Sequence, residues 1–302
     1  MNWASASAPE AAVSGRFVLV TGASTGIGEA TARLLASGGW NVIATVRSDA
    51  DADRIGAIQR CSPAHFDLGL GAERAAAELA DQVAGIVGDA GLAGLVNNAG
   101  YVEGGPFETV TLDRWRSQFE VNVFGVVELT RVLMPTLRRA VDPRVVVVGS
   151  ISGRVGAPML GPYVASKHAV DGLCKCLRRE FDGSGPIVTL VEPGAVSTPL
   201  WAKAVRLADR IEGSLNADQQ ARYSRLISAQ RVALQDGRRQ GVSPDVVAEV
   251  IQTALTSSRP RARYLVGRDA KAGGLLDRVL PDSAMEAIGR RLIARAADRG
   301  VR

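Results

Sequence analysis

The 302-residue sequence predicts an α/β protein built on one doubly wound parallel sheet of about seven strands, with a helical insertion after the sixth. Three observations carry that expectation. From Arg16 onward, short apolar and β-branched runs alternate with helix-length patterns, as in βαβ units. Phe17-Val-Leu-Val20 and Val145-Val-Val-Val148 are unbroken apolar runs, which strands buried on both faces require. An apolar content of 46% is ample for one large core.

Strands are expected at 16–21, 41–47, 64–66, 95–97, 144–149, 187–192 and 263–266. Helical patterns fall between them at 27–37, 72–88, 112–140, 163–181 and 244–256. Residues 1–13 are rich in Ala and Ser, lack the basic and apolar regions of a signal peptide, and read as a disordered tail. Residues 14–302 read as a single domain. The segment 199–241 breaks the alternation with two or more helices. Ligands in open α/β sheets sit beyond the carboxyl ends of the strands, so this insertion is placed to be a substrate lid. Trp201, Val205, Leu207, Ile211 and Leu215 would supply its apolar face; the competing reading is a helical pair that caps the core. Residues 273–297 are expected to form one amphipathic C-terminal helix, with Leu276, Val279, Leu280, Ile288 and Leu292 interleaved with Arg278, Arg290, Arg291 and Arg295. Such a helix packs on its own domain or on a partner subunit more often than on a membrane surface.

The formal charge is +5 and the isoelectric point about 9.4, but the basic residues are almost all Arg, scattered among 31 acids. No aromatic and basic interleaving of the kind that binds single strands is present, so no nucleic-acid partner is expected. Cys61, Cys174 and Cys176 make no disulfide framework and read as reduced thiols of a cytoplasmic protein. His65 and His168 have no acidic companions at ligand spacing, so no metal site is expected. No apolar run reaches the roughly 18 residues that a transmembrane segment needs.

Two motifs carry chemistry. Thr21-Gly22-Ala-Ser24-Thr25-Gly26-Ile27-Gly28 follows the first strand and leads directly into a helix. Its glycines let backbone approach a pyrophosphate, whose charge then meets the helix N-terminus. Tyr163 and Lys167, in Gly161-Pro-Tyr-Val-Ala-Ser-Lys-His168, are four residues apart and share a helix face. A cation within about 4 to 6 Å lowers the phenol pKa of about 10 toward the working pH, which suits the tyrosine for proton transfer to or from a carbonyl oxygen.

Together these motifs resemble the short-chain dehydrogenase/reductase family, a Rossmann-type fold, over nearly all of residues 14–270. The resemblance implies a role for each matching residue. Asn97-Asn98-Ala99-Gly100 is similar to the motif that stabilises the central sheet near the adenine ribose, and Asp67-Leu68 to the pair that contacts the adenine ring. Asn122 looks like the active-site asparagine that holds a water linked to the lysine. Ser150, thirteen residues before Tyr163, occupies the place of the catalytic serine, with Ser152 as the alternative hydroxyl. Pro193-Gly194, Val196 and Thr198 resemble the loop that holds the nicotinamide carboxamide. In the site so implied, Ser150 hydrogen-bonds the substrate oxygen, Tyr163 transfers the proton, Lys167 lowers the phenol pKa and contacts the nicotinamide ribose, and Asn122 leads to bulk water.

Cofactor choice turns on Arg47-Ser48 at the end of the second strand. An acid there would bind the ribose diol, whereas Arg pairs with a 2′-phosphate, so NADP(H) is favoured and NAD(H) remains open. NADP users of the family often carry a second basic residue in the glycine loop, where this chain has Thr25, and Asp49 and Asp51 lie near. The segments 150–158 and 121–125 look like the branch of 17β-hydroxysteroid and retinol dehydrogenases, which implies a hydrophobic carbonyl or alcohol substrate. The alternatives are an NAD-preferring alcohol, steroid or retinol dehydrogenase and, outside enzymes, a dinucleotide-sensing binding protein. A homodimer or homotetramer is implied by resemblance alone.

Overall fold

The computed structural model describes residues 15–300, so the tail expected over 1–13 lies outside the described residues. Seven strands pair in parallel in the order β3-β2-β1-β4-β5-β6-β7. They are β1 Phe17–Val20, β2 Asn41–Val46, β3 Cys61–His65, β4 Gly94–Asn97, β5 Arg144–Val148, β6 Ile187–Pro193 and β7 Arg263–Val266. The helices are α1 Gly26–Ser37, α2 Asp49–Gly56, α3 Ala72–Val87, α4 Leu112–Phe119, α5 Gly125–Arg139, α6 Gly161–Glu180, α7 Leu200–Ser214, α8 Ala217–Gln240, α9 Pro244–Thr256, α10 Arg268–Val279 and α11 Asp282–Gly300.

The period of two along each strand divides the core. Val18 and Val20 of β1 face one layer with Leu35 of α1 and Ile251 and Leu255 of α9. Leu19 faces the other, with Leu79 of α3, Leu133 of α5 and Cys174 of α6. Strand order reverses between β1 and β4, and the carboxyl ends of these two strands bound the crevice where ligands of doubly wound sheets bind.

Four elements depart from the expected bounds. The third strand starts at Cys61 rather than at 64, since β3 is an edge strand and tolerates Pro63, which cannot donate to the ladder. Helix α2 was not expected; Ser48 caps it by accepting from the Asp51 N–H at 3.2 Å, and Asp49 and Asp51 lie in its first turn. The helix expected over 112–140 is interrupted by a π turn at Glu120–Phe124 between α4 and α5. The single C-terminal helix expected over 273–297 is two helices. Pro281 forces Leu280 into extended geometry (φ −102°, ψ 144°), which ends α10 and leaves α11 to start afresh. Helix α11 then packs on α8 of its own chain, where the Ser228 hydroxyl donates to the Ala297 carbonyl at 3.2 Å and Arg299 pairs with Asp236 at 3.1 Å.

The insertion after β6 comprises α7 and α8. Ile211 and Leu215 are buried, whereas Val205 is exposed. Leu215 and Ile227 form a small cluster of their own with Met159 from the loop before α6.

Leu133 is fully buried between α5 and the sheet. Leu133→Ala is expected to lower the unfolding free energy by about 2–5 kcal/mol, read from the urea midpoint.

Candidate active site

The glycine loop is held from two sides. The Gly22 N–H donates to the Thr45 hydroxyl at 2.9 Å, and the Asn98 amide nitrogen donates to the carbonyls of Thr21 (2.8 Å) and Gly22 (3.3 Å). The Thr21 hydroxyl accepts from the backbone of both Asn98 and Ala99 at 2.9 Å. A Cβ on Gly28 would lie 2.2 Å from the Gly22 carbonyl oxygen, so only glycine lets the helix start so close to the turn. Thr25 stands at the head of α1 in extended geometry and its side chain makes no cap. The first-turn N–H groups of α1 therefore lack a side-chain acceptor and suit a pyrophosphate.

At the end of β2, Arg47 is exposed and makes no hydrogen bond among the described residues, while Ser48 is spent on capping α2. Sequence reasoning missed Arg54. From α2 it donates to the Ser24 carbonyl of the glycine loop and pairs with Glu29 (2.8 Å) and Asp51 (3.0 Å). The Ser48 cap followed by acids at 49 and 51 was the available signal for the helix that carries it. Asp67 is exposed and accepts from the Gly69 N–H at 3.0 Å, whereas the Leu68 side chain is buried against Gly125.

Ser150 follows β5 in extended geometry; its hydroxyl accepts from the Ser152 N–H at 3.1 Å and lies near enough to the Tyr163 phenol to lower its pKa. Ser152 thus buttresses Ser150 through its backbone. Helix α6 presents Tyr163 and Lys167 together, with the ammonium 5.8 Å from the phenol ring centroid and donating to the Val148 carbonyl at 2.9 Å. The lysine is buried. Burial raises the Tyr163 pKa, opposed by the Ser150 hydroxyl, and pushes the Lys167 pKa down to about 8. The phenol is thus shifted upward by desolvation, against the lowering by the cation that the sequence led us to expect. Cys174, one helical repeat further along α6, is fully buried and its thiol is pushed up to about 12 by the same cause.

Asn122 lies in the π turn, where irregular helix geometry often marks function. Its amide nitrogen donates to the Tyr101 carbonyl (3.2 Å) and the Ser166 hydroxyl (3.1 Å), and its oxygen accepts from the Tyr101 N–H (3.1 Å). Ser166 in turn donates to the Tyr163 carbonyl at 2.7 Å. The Asn122 side chain thus braces Tyr101 and the Tyr163 backbone.

After β6, the turn with Pro193, Gly194, Val196 and Thr198 bends back over the glycine loop. A Cβ on Gly26 would lie 3.1 Å from Thr198 Cγ2, so the two loops meet. Val196 pairs with Val242 as an isolated bridge, and its carbonyl accepts from the Trp201 indole at 2.6 Å. Gly100 closes the opposite wall, 3.1 Å from the Asn122 amide oxygen if given a Cβ.

The profile of the family described as short chain dehydrogenase matches residues 16–207. The chain belongs to the short-chain dehydrogenase/reductase family. It is 32% identical over 258 residues to an NADPH-dependent 3-dehydrocapnine reductase of Ornithobacterium rhinotracheale, covering 83% of this chain and 88% of that one. It is 33% identical over 266 residues to 17-beta-hydroxysteroid dehydrogenase type 6 of Bos taurus, covering 85% and 82%. A short-chain dehydrogenase/reductase from Burkholderia phymatum, solved with NAD, superposes with a TM-score of 0.72 at 25% identity, covering 87% of this chain and 92% of that one. This short-chain dehydrogenase/reductase is thus an oxidoreductase of the hydroxysteroid and retinol dehydrogenase-like branch, and its crevice suits a nicotinamide dinucleotide. No helix among the described residues is long and apolar enough to cross a membrane.

With a folded pKa of about 8 against 10.5 for the free group, Lys167 binds its proton less tightly in the folded state. The stability it withholds is missing below about pH 8 and is recovered as pH rises toward 10.5. The unfolding free energy of the parent minus that of Lys167→Met should therefore rise, by on the order of 3 kcal/mol at most, between neutral pH and about pH 10 in urea titrations.

Proposed function

We propose that the protein interconverts a hydrophobic ketone or aldehyde and its alcohol with NADP(H), Tyr163 acting as the general acid and base. The observation that carries this reading is the Ser150 hydroxyl on the Tyr163 phenol, with buried Lys167 behind it and the glycine loop across the crevice.

A bound nicotinamide supplies the hydride. The chain's part is to place and protonate. Ser150 holds the substrate oxygen, where developing negative charge meets a preplaced donor worth a few kcal/mol. Burial keeps Tyr163 protonated, which suits it to give its proton to that oxygen in reduction. In the reverse direction the phenolate has the Lys167 ammonium as its nearest cation. Asn122 acts as a positioning residue through Tyr101 and Ser166, and any water it passes to Lys167 would use capacity beyond its three side-chain bonds.

Preference for the 2′-phosphate rests on Arg47, exposed at the end of β2, and on Arg54, docked on the glycine loop where a second cation is otherwise missing. The NADPH-dependent reductase among the relatives agrees with it. NAD preference has Asp51 in its favour, held ionised by Arg54 and Ser48 close to Arg47. The apolar substrate class rests on the α7–α8 insertion as a lid, whose Ile211 packs toward Gly105 and whose Leu215 and Ile227 meet Met159. Exposed Phe107, Leu112 and Phe124 around α4 offer a contact surface for the homo-oligomer.

Tyr163→Phe should abolish turnover on a panel of steroids, retinoids and aliphatic ketones while NADPH still quenches protein fluorescence; retained turnover would remove Tyr163 from the mechanism. Arg47→Ala should raise the Michaelis constant for NADPH by roughly tenfold or more and leave that for NADH nearly unchanged. Equal effects on both would sink the NADP assignment.

A further inference from the structure

We infer that α10 is a splint that fixes the serine-bearing turn and the Pro193–Thr198 turn relative to each other, acting through Asp269, Gly273 and Asp277. The inference rests on the proposed roles of those two turns. The three residues are spaced by four and lie along one stripe of α10. At the near end, the Asp269 carboxylate accepts from the Ala195 N–H at 2.7 Å. It also sits so close to Gly194 that a Cβ there would fall 2.2 Å from either carboxylate oxygen. In the middle, Gly273 meets Ile151, the residue after Ser150, with 3.2 Å between a Cβ built on the glycine and Ile151 Cγ1. At the far end, Asp277 pairs with Arg154 at 3.2 Å, and Arg154 closes the short helical turn that Ser150 caps.

A second set of charges ties the same two turns from beneath. Arg154 also contacts Glu192 at 3.3 Å, and Glu192, which is 1% exposed, immediately precedes Pro193. Arg263 of β7 pairs with Glu192 at 2.6 Å and with Asp171 of α6, the helix of Tyr163 and Lys167. Burial pushes the Glu192 pKa up, opposed first by Arg263 and then by Arg154. The two turns are therefore bridged twice, by the Glu192 and Arg154 pair below and by α10 above. Asp269 and Asp277 act through the backbone of Ala195 and the side chain of Arg154, so they are positioning residues.

The bridging makes a claim that local support does not: releasing one end of α10 should loosen the turn at the other end. Hydrogen exchange on the full-length Asp277→Ala variant tests it, with thermal stability recorded alongside. Exchange should accelerate roughly threefold to tenfold in 150–155 and also in 194–198, where Asp277 makes no contact, while strand amides keep their rates. Asp269→Ala should show the mirror pattern. Asp277→Glu should restore most of the protection. In turnover assays each Ala variant should lower kcat more than it raises the Michaelis constant for cofactor. Acceleration confined to the turn next to the substitution would overturn the splint, as would a uniform rise that follows thermal stability alone. Exchange judges the splint whatever the activity, whereas retained turnover in Tyr163→Phe would strike only the catalytic reading.

Discussion

Everything functional in this protein hangs from the carboxyl edge of one parallel sheet. A parallel strand buried on both faces can bond only to its neighbours, so each chain crossover must leave through the same edge and return by a helix. Thr21, Arg47, Asn98, Ser150 and Pro193 are where strands β1, β2, β4, β5 and β6 end or have just ended, and the sheet sets their spacing. The Thr21 hydroxyl and the Asn98 amide then join β1 to β4 across the point where strand order reverses, which holds the glycine turn on the same frame as α6.

Much of this was legible in the sequence because it depends on local rules. Unbroken apolar runs forecast β1 and β5, and glycines between a strand and a helix forecast the tight turn from β1 into α1. The four-residue step from Tyr163 to Lys167 forecast a shared helix face. What escaped depends on long-range partners. Arg54 matters through a carbonyl thirty residues earlier, and a local window shows only an ordinary charged helix. The early start of β3 was missed because no local signal says that the strand is at an edge, where Pro63 is tolerated. The π turn is a register event inside an otherwise continuous helical pattern, whereas Pro281 was a local stop signal that the helix expected over 273–297 ran through. The resemblance singled out Asn122, yet its side-chain bonds became visible only once Tyr101 and Ser166 were positioned around it.

Helix α6 works against its own stability. Lys167 and Tyr163 both lose hydration; the lowered Lys167 pKa is a cost at neutral pH that the rest of the core must offset, whereas the raised Tyr163 pKa costs stability only where a free phenol would ionise, above about pH 10. The apolar contacts of α6 with the sheet, through Val170 and Cys174, provide that support and hold the phenol against Ser150. The site is thus strained electrostatically while its packing stays regular.

The depth of Cys174 has a practical corollary. A thiol held at about 12 is almost wholly protonated at neutral pH, and a side chain with no accessible surface is closed to reagents. Alkylation of Cys174 must therefore wait for α6 to lift from the sheet. Its labelling rate, set against that of exposed Cys176 two residues on, becomes a clock for the opening of the helix that carries Tyr163 and Lys167.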